Sequence, residues 1–147
     1  IRQQLWVDEM VFAVPVNDPF ARRKSVSLME LRETPFILRE EGSGTLKFLI
    51  DYLRDSGQDA SNTFQVVARF GSSTAVKEGI KCGLGLSILS TRAIETDLKA
   101  GLLRALNIKG LSIFRHFFLI RNKLRIASPS CQALRNYLLV TVSEKKK

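Results

Sequence analysis

Two short segments of this 147-residue chain carry residue types suited to holding a small anion: Gly42-Ser43-Gly44-Thr45 and Gly71-Ser72-Ser73-Thr74. Each follows an apolar run, ending at Leu38 and at Phe70, and each leads into a helical pattern. The first turn of a helix leaves up to four backbone N–H groups without internal partners, and the helix dipole adds partial positive charge there. Glycine lets a ligand approach the backbone, and Ser and Thr add hydroxyl donors. A carboxylate, sulfate or phosphate fits such a place, so Ser43, Gly44, Thr45, Gly71, Ser72 and Ser73 are the candidate binding residues. The same residues also serve as ordinary helix caps. No Gly-Lys-[Ser/Thr] follows at P-loop spacing, and Gly83-x-Gly85 is too short for a dinucleotide fingerprint.

Catalytic chemistry finds less support. Glu40 and Glu41 are adjacent, and on an extended segment they point to opposite faces rather than flanking one substrate atom. His116 is the single histidine, and Cys82 and Cys131 are the only cysteines. A zinc site or a histidine-dependent triad would need more partners. Both cysteines sit in apolar surroundings and are expected as buried free thiols, which suits a reducing compartment. No catalytic residue, metal or cofactor is therefore expected. The formal charge of +9 favours anionic ligands. Its clusters, Arg22-Arg23-Lys24 and Lys145-Lys146-Lys147, are short and do not form the stripe of a nucleic-acid surface.

The elements that must position these loops follow from periodicity. Residues Trp6 to Val16 read as a strand ending in the turn signature Asn17-Asp18-Pro19. Ser27 and Glu30 form a capping box over a short helix, and Phe36-Ile37-Leu38 is a short strand. Leu46, Leu49, Ile50 and Leu53 fall at i, i+3, i+4 and i+7, one apolar stripe of a helix closed by Gly57. A strand over about 64–70, a helix with Val76 and Ile80, and a strand over 86–89 come next. After them follow a helix capped by Ser90-Thr91, a strand through Ile113 and Ile120, and a helix from Ser128-Pro129. Phe114, Phe117 and Phe118 read as core. Alternating strands and helices predict an α/β fold with a largely parallel sheet. No apolar run approaches the roughly 20 residues a membrane helix needs.

The order of these segments resembles the effector-binding domain of LysR-type transcriptional regulators. The resemblance rests on Leu5 to Pro15 with Asp18-Pro19-Phe20-Ala21, on Arg39 to Thr45 as an Arg-Glu-x-Gly-Ser-Gly-Thr loop, and on Val76 to Ser90 with its Gly-Leu-Gly turn. It implies a type II periplasmic-binding-protein-like fold, with one complete lobe and the closing part of a second. The expected division is 1–7 as the end of the first lobe, 8–95 as the second lobe, 96–140 as the return crossover and first-lobe remainder, and 141–147 as a basic tail. The chain reads as a piece of a longer one.

By the same resemblance, Ser43, Gly44, Thr45, Gly71, Ser72 and Ser73 would face a cleft holding a small, anionic metabolite, with a lean towards sulfur-related or oxyanion effectors. The protein would be a cytoplasmic homodimer or tetramer, without membrane contact, reaching DNA only through a helix-turn-helix outside this chain. A periplasmic solute-binding protein of a transporter shares the fold and is the alternative.

Overall fold

The alternation of side chains along one long strand fixes what packs on either side of it. In the computed structural model, which describes residues 1–58, 63–110 and 112–144, β1 (Arg2–Pro15) is extended throughout. Met10, Phe12 and Val14 point into one apolar cluster, and Val11 and Ala13 point into another. The same period of two splits β3 (Pro35–Arg39) into Phe36 and Leu38 on one side and Ile37 on the other. It also divides β5 (Ser87–Ser90), which sends Ile88 one way and Leu89 the other. Strands apolar on both faces need helices on both faces.

Those helices are built from the predicted stripes. α1 (Leu28–Arg32) is started by the Ser27–Glu30 capping box, with Glu30 also gripped by Arg23 at 2.7 Å. α2 (Gly44–Asp55) buries Leu46, Leu49 and Leu53 in the first cluster. Burying one such leucine is worth about 2 kcal/mol. α3 (Ser73–Lys81) and α4 (Thr91–Lys99) cover the second cluster with Val76, Ile80 and Ile94. α5 (Pro129–Glu144) closes the described chain.

The remaining strands are β2 (Ser25–Val26), β4 (Gln65–Phe70), β6 (Leu103–Ile108) and β7 (Ile113–Ile120). One sheet has the order β2-β6-β1-β5, with β7 also pairing β1, and β3 pairs with β4 in a second. A parallel bridge from Phe36 to Leu86 joins the return segment to β3.

The expected largely parallel sheet is corrected to a mixed one. β3–β4 and β2–β6 are parallel, whereas β1 runs antiparallel to both β5 and β6. Hydrophobic periodicity encodes faces, not strand direction, so this was not readable from the pattern.

Two compact units emerge: Ile1–Asp8 with Phe114–Lys147, and Glu9–Ile113. The larger unit extends past residue 95, because β6 pairs with β1 and β2. Lys145 to Lys147 of the expected basic tail lie outside the described residues.

Two further expectations are corrected. Cys82 and Cys131 are free thiols but exposed, Cys82 because it caps the end of α3. Phe114 and Phe117 are 47% and 36% exposed rather than core. Phe117 stacks on Trp6 at 5.5 Å, and Arg2 lies 3.6 Å over the Phe118 ring, so the aromatics of β7 pair along the strand surface.

Candidate functional site

β3 and β4 are parallel neighbours with Arg39 in register with Phe70, so the two candidate loops leave the sheet at the same level. In open α/β sheets this carboxyl edge is where ligands gather. Ser43 caps α2, its Oγ accepting from the Leu46 amide at 3.5 Å. Ser72 caps α3, its Oγ accepting from the Ala75 amide at 3.1 Å. By helix geometry the amides of Gly44 and Thr45, and those of Ser73 and Thr74, have no partner inside their own helix. They are the donors that the two helices themselves leave open.

The six candidates differ in how they present themselves. Ser43 is only 6% exposed and is committed to its cap. Gly44, Gly71 and Ser72 are exposed, and Thr45 and Ser73 are half-buried. A methyl added at Gly44 or Gly71 would meet nothing within 4 Å. Internal packing therefore does not demand glycine at either position. Gly85 and Gly79 are the opposite case. A Cβ on Gly85, whose φ is +157°, would lie 2.4 Å from the Pro35 carbonyl oxygen, and one on Gly79 would lie 2.8 Å from the Phe70 ring. These two glycines allow the close packing that brings α3 and the return strand against β3.

The side chain linking the loops is Arg39. Its Nε and Nη2 fork the Glu40 carboxylate at 2.9 and 2.8 Å. Nη1 donates to Ser73 Oγ at 2.9 Å and Nη2 to the Gly71 carbonyl at 3.3 Å. The Glu40 amide donates to the Phe70 carbonyl at 3.1 Å, closing a second link. The guanidinium holds the Glu40 carboxyl below the usual carboxylate range. Glu40 is thus a charge partner and not a poised base, while Glu41 is exposed.

Behind α3 lies a second cluster: Asp97, buried on α4, accepts from Lys77 and Lys81 at 2.9 Å each. Hydrogen bonds from these lysines, Lys77 foremost, hold the Asp97 carboxyl low. Both lysines of α3 are occupied, so the attraction for an anion at its start comes from backbone amides and the helix dipole. A groove of about 580 Å³ beside the first loop is lined by Leu38, Glu41, Leu46, Phe64, Arg54 and Arg69. Its walls mix apolar residues with Glu41, Arg54, Gln58 and Arg69, and none of the six candidate residues lines it.

Sequence reasoning named the loops but gave no role to Arg39, although it opens the Arg-Glu-x-Gly-Ser-Gly-Thr stretch. Its partners lie 32 and 34 residues away, beyond the reach of local patterns. Among the described residues no group of histidine, cysteine and carboxylate side chains is arranged to hold a metal. No helix among them is long and apolar enough to cross a membrane.

An α/β lobe with paired helix starts at the carboxyl edge of parallel strands has the architecture of α/β ligand-binding modules. The model of the LysR substrate binding domain matches residues 1–142, and the chain belongs to that family. It is 32% identical over 130 residues to the RuBisCO operon transcriptional regulator of Allochromatium vinosum, covering 88% of this chain and 42% of that protein. It is 36% identical over 135 residues to the HTH-type transcriptional regulator YeiE of Escherichia coli, covering 90% and 43%. The chain thus spans about two fifths of the length of these curated relatives.

Among solved structures, it superposes on the regulatory domain of CcmR from Synechocystis PCC6803 in complex with 2-PG, with TM-score 0.83 and 24% identity, over 97% of this chain and 66% of that one. The effector binding domain of QuiR in complex with shikimate gives TM-score 0.77 at 19% identity, over 97% and 66%. These likenesses establish the type II periplasmic-binding-protein-like fold.

Proposed function

We propose that this chain is the distal part of the effector-sensing domain of a LysR-type transcriptional regulator and that its larger unit binds a small anionic metabolite. The observation that carries this reading is the pair of helix starts after β3 and β4, each with first-turn amides that lack a partner in their own helix and a glycine facing open space. Ser73, Thr45, Gly44 and Gly71 are the contact residues, with Ser72 at the rim and Ser43 holding the first helix start in place. The ligand is sensed rather than transformed. Differential affinity for it shifts the regulator between conformations. DNA is reached through the helix-turn-helix named in the relatives' descriptions, which lies outside this chain. The regulator works as a cytoplasmic homodimer or tetramer.

The test is calorimetric titration of the full-length protein with 2-phosphoglycolate, sulfate and inorganic phosphate. The first probe is taken from the CcmR complex, the other two from the chemistry of the loops. Saturable binding that weakens in a Thr45→Val variant is expected. Failure of all three anions to bind would remove this reading.

A further inference from the structure

Resting on that reading of the loops, we infer that Arg39 is a positioning residue of the effector site. One guanidinium fastens the Gly71–Ser73 loop to the end of β3 and turns Ser73 into a hydrogen-bond donor aimed at the ligand.

Arg39 is the last residue of β3, and its side chain is only 17% exposed. A guanidinium has five N–H donors in a rigid plane and no acceptor. Here four of them are used: Nε and one Nη2 hydrogen on Glu40, the other Nη2 hydrogen on the Gly71 carbonyl, and one Nη1 hydrogen on Ser73 Oγ. Glu40 fixes the plane of the fork, and in that plane the remaining donors meet two points of the second loop. A lysine carries a single charged nitrogen on a flexible stem and cannot hold this arrangement.

The consequence for recognition lies in the serine hydroxyl. Ser73 Oγ accepts from Arg39, and because Arg39 only donates, the single hydroxyl hydrogen of Ser73 must point elsewhere. Ser73 is half-buried at the start of α3, and its own amide has no partner inside that helix. Hydroxyl and amide together therefore present two donors, and the group they select is an acceptor: a carboxylate, sulfate or phosphate oxygen. Ser43 and Ser72 also accept through Oγ, but from the Leu46 and Ala75 amides of their own helices, so neither ties one loop to the other as Ser73 does. Glu40 neutralises the Arg39 charge, so the guanidinium stays a strut between the loops instead of collapsing onto the ligand.

A double-mutant cycle separates this from a general structural role. Full-length wild type, Arg39→Lys, Ser73→Ala and the double variant are titrated with 2-phosphoglycolate. Each single change is expected to weaken binding about tenfold, and the double change to be no worse than the singles, because Arg39 acts through Ser73. Hydrogen exchange of the ligand-free Arg39→Lys protein is expected to quicken over 71–75 and to stay unchanged over α2. Ser73→Ala, a milder change, should reproduce the faster exchange. Independent effects, giving about a hundredfold loss in the double variant, would overturn the inference. So would unaltered exchange over 71–75 in both single variants, whether or not any anion binds. Wild-type protein that binds no anion overturns the effector reading instead.

Discussion

Replacing Gly71 by alanine separates folding from binding at one atom. The added methyl meets nothing within 4 Å, and Gly71 does not adopt the left-handed conformation that an alanine would resist. Removing a glycine from a compatible position restricts the unfolded chain, so stability should hold or rise by about 0.5 kcal/mol. On the proposed placement an oxyanion held by the Ser73 and Thr74 amides lies against this loop, and the methyl would crowd it. Losing one charge-assisted hydrogen bond costs about 1.5–3 kcal/mol, which corresponds to about a 10- to 100-fold weaker affinity. Urea denaturation and calorimetric titration of full-length Gly71→Ala with 2-phosphoglycolate measure the two quantities separately. An unchanged affinity, with stability retained, would refute the placement of the ligand at this loop.

Gly85→Ala should do the reverse. With φ at +157° and the Pro35 oxygen 2.4 Å from the new Cβ, it strains the backbone and disrupts the bond from the Leu86 amide to that oxygen, lowering stability by about 3 kcal/mol in urea denaturation. Asp97→Asn removes the charge that Lys77 and Lys81 share and should cost about 2 kcal/mol, read as a lower urea midpoint. Acid should act through Glu30. Its pairing with Arg23, and then its bonds from Ser27, lower it from 4.5 to about 2, so its contribution is complete above pH 4.5 and fades as the pH falls towards 2. The stability gap between wild type and Glu30→Gln, followed by denaturation against pH, should close over that window.

Much of the larger unit was legible because its signals are local. The Leu46–Leu49–Leu53 stripe, the Ser27–Glu30 capping box and the Gly-Leu-Gly turn each depend on residues within a few positions of one another, and each forms as expected. The candidate loops were visible for the same reason, through Ser and Gly placed before helical patterns. What escaped is non-local. The antiparallel course of β1 against β5 and β6 depends on pairings between residues 74 to 94 positions apart. The Arg39 contacts skip a whole helix and strand. Composition misled at Cys82 and at Phe114 and Phe117, where apolar neighbours in sequence implied burial. Cys82 instead caps the exposed end of α3, and Phe117 lies on the strand surface against Trp6 and Arg115.

The division of the chain also sets an order of assembly during synthesis. The unit from Glu9 to Ile113 is one uninterrupted stretch, whereas the other joins Ile1–Asp8 to residues after 113. As the polypeptide leaves the ribosome, the larger unit can close while the first half of β1 still waits for β7. The loop pair around Arg39 would then be in place before β7 is made. A ribosome stalled shortly after Ile113 has exited would carry every strand of the larger unit, while Ile1–Asp8 still lacks its pairing with β7.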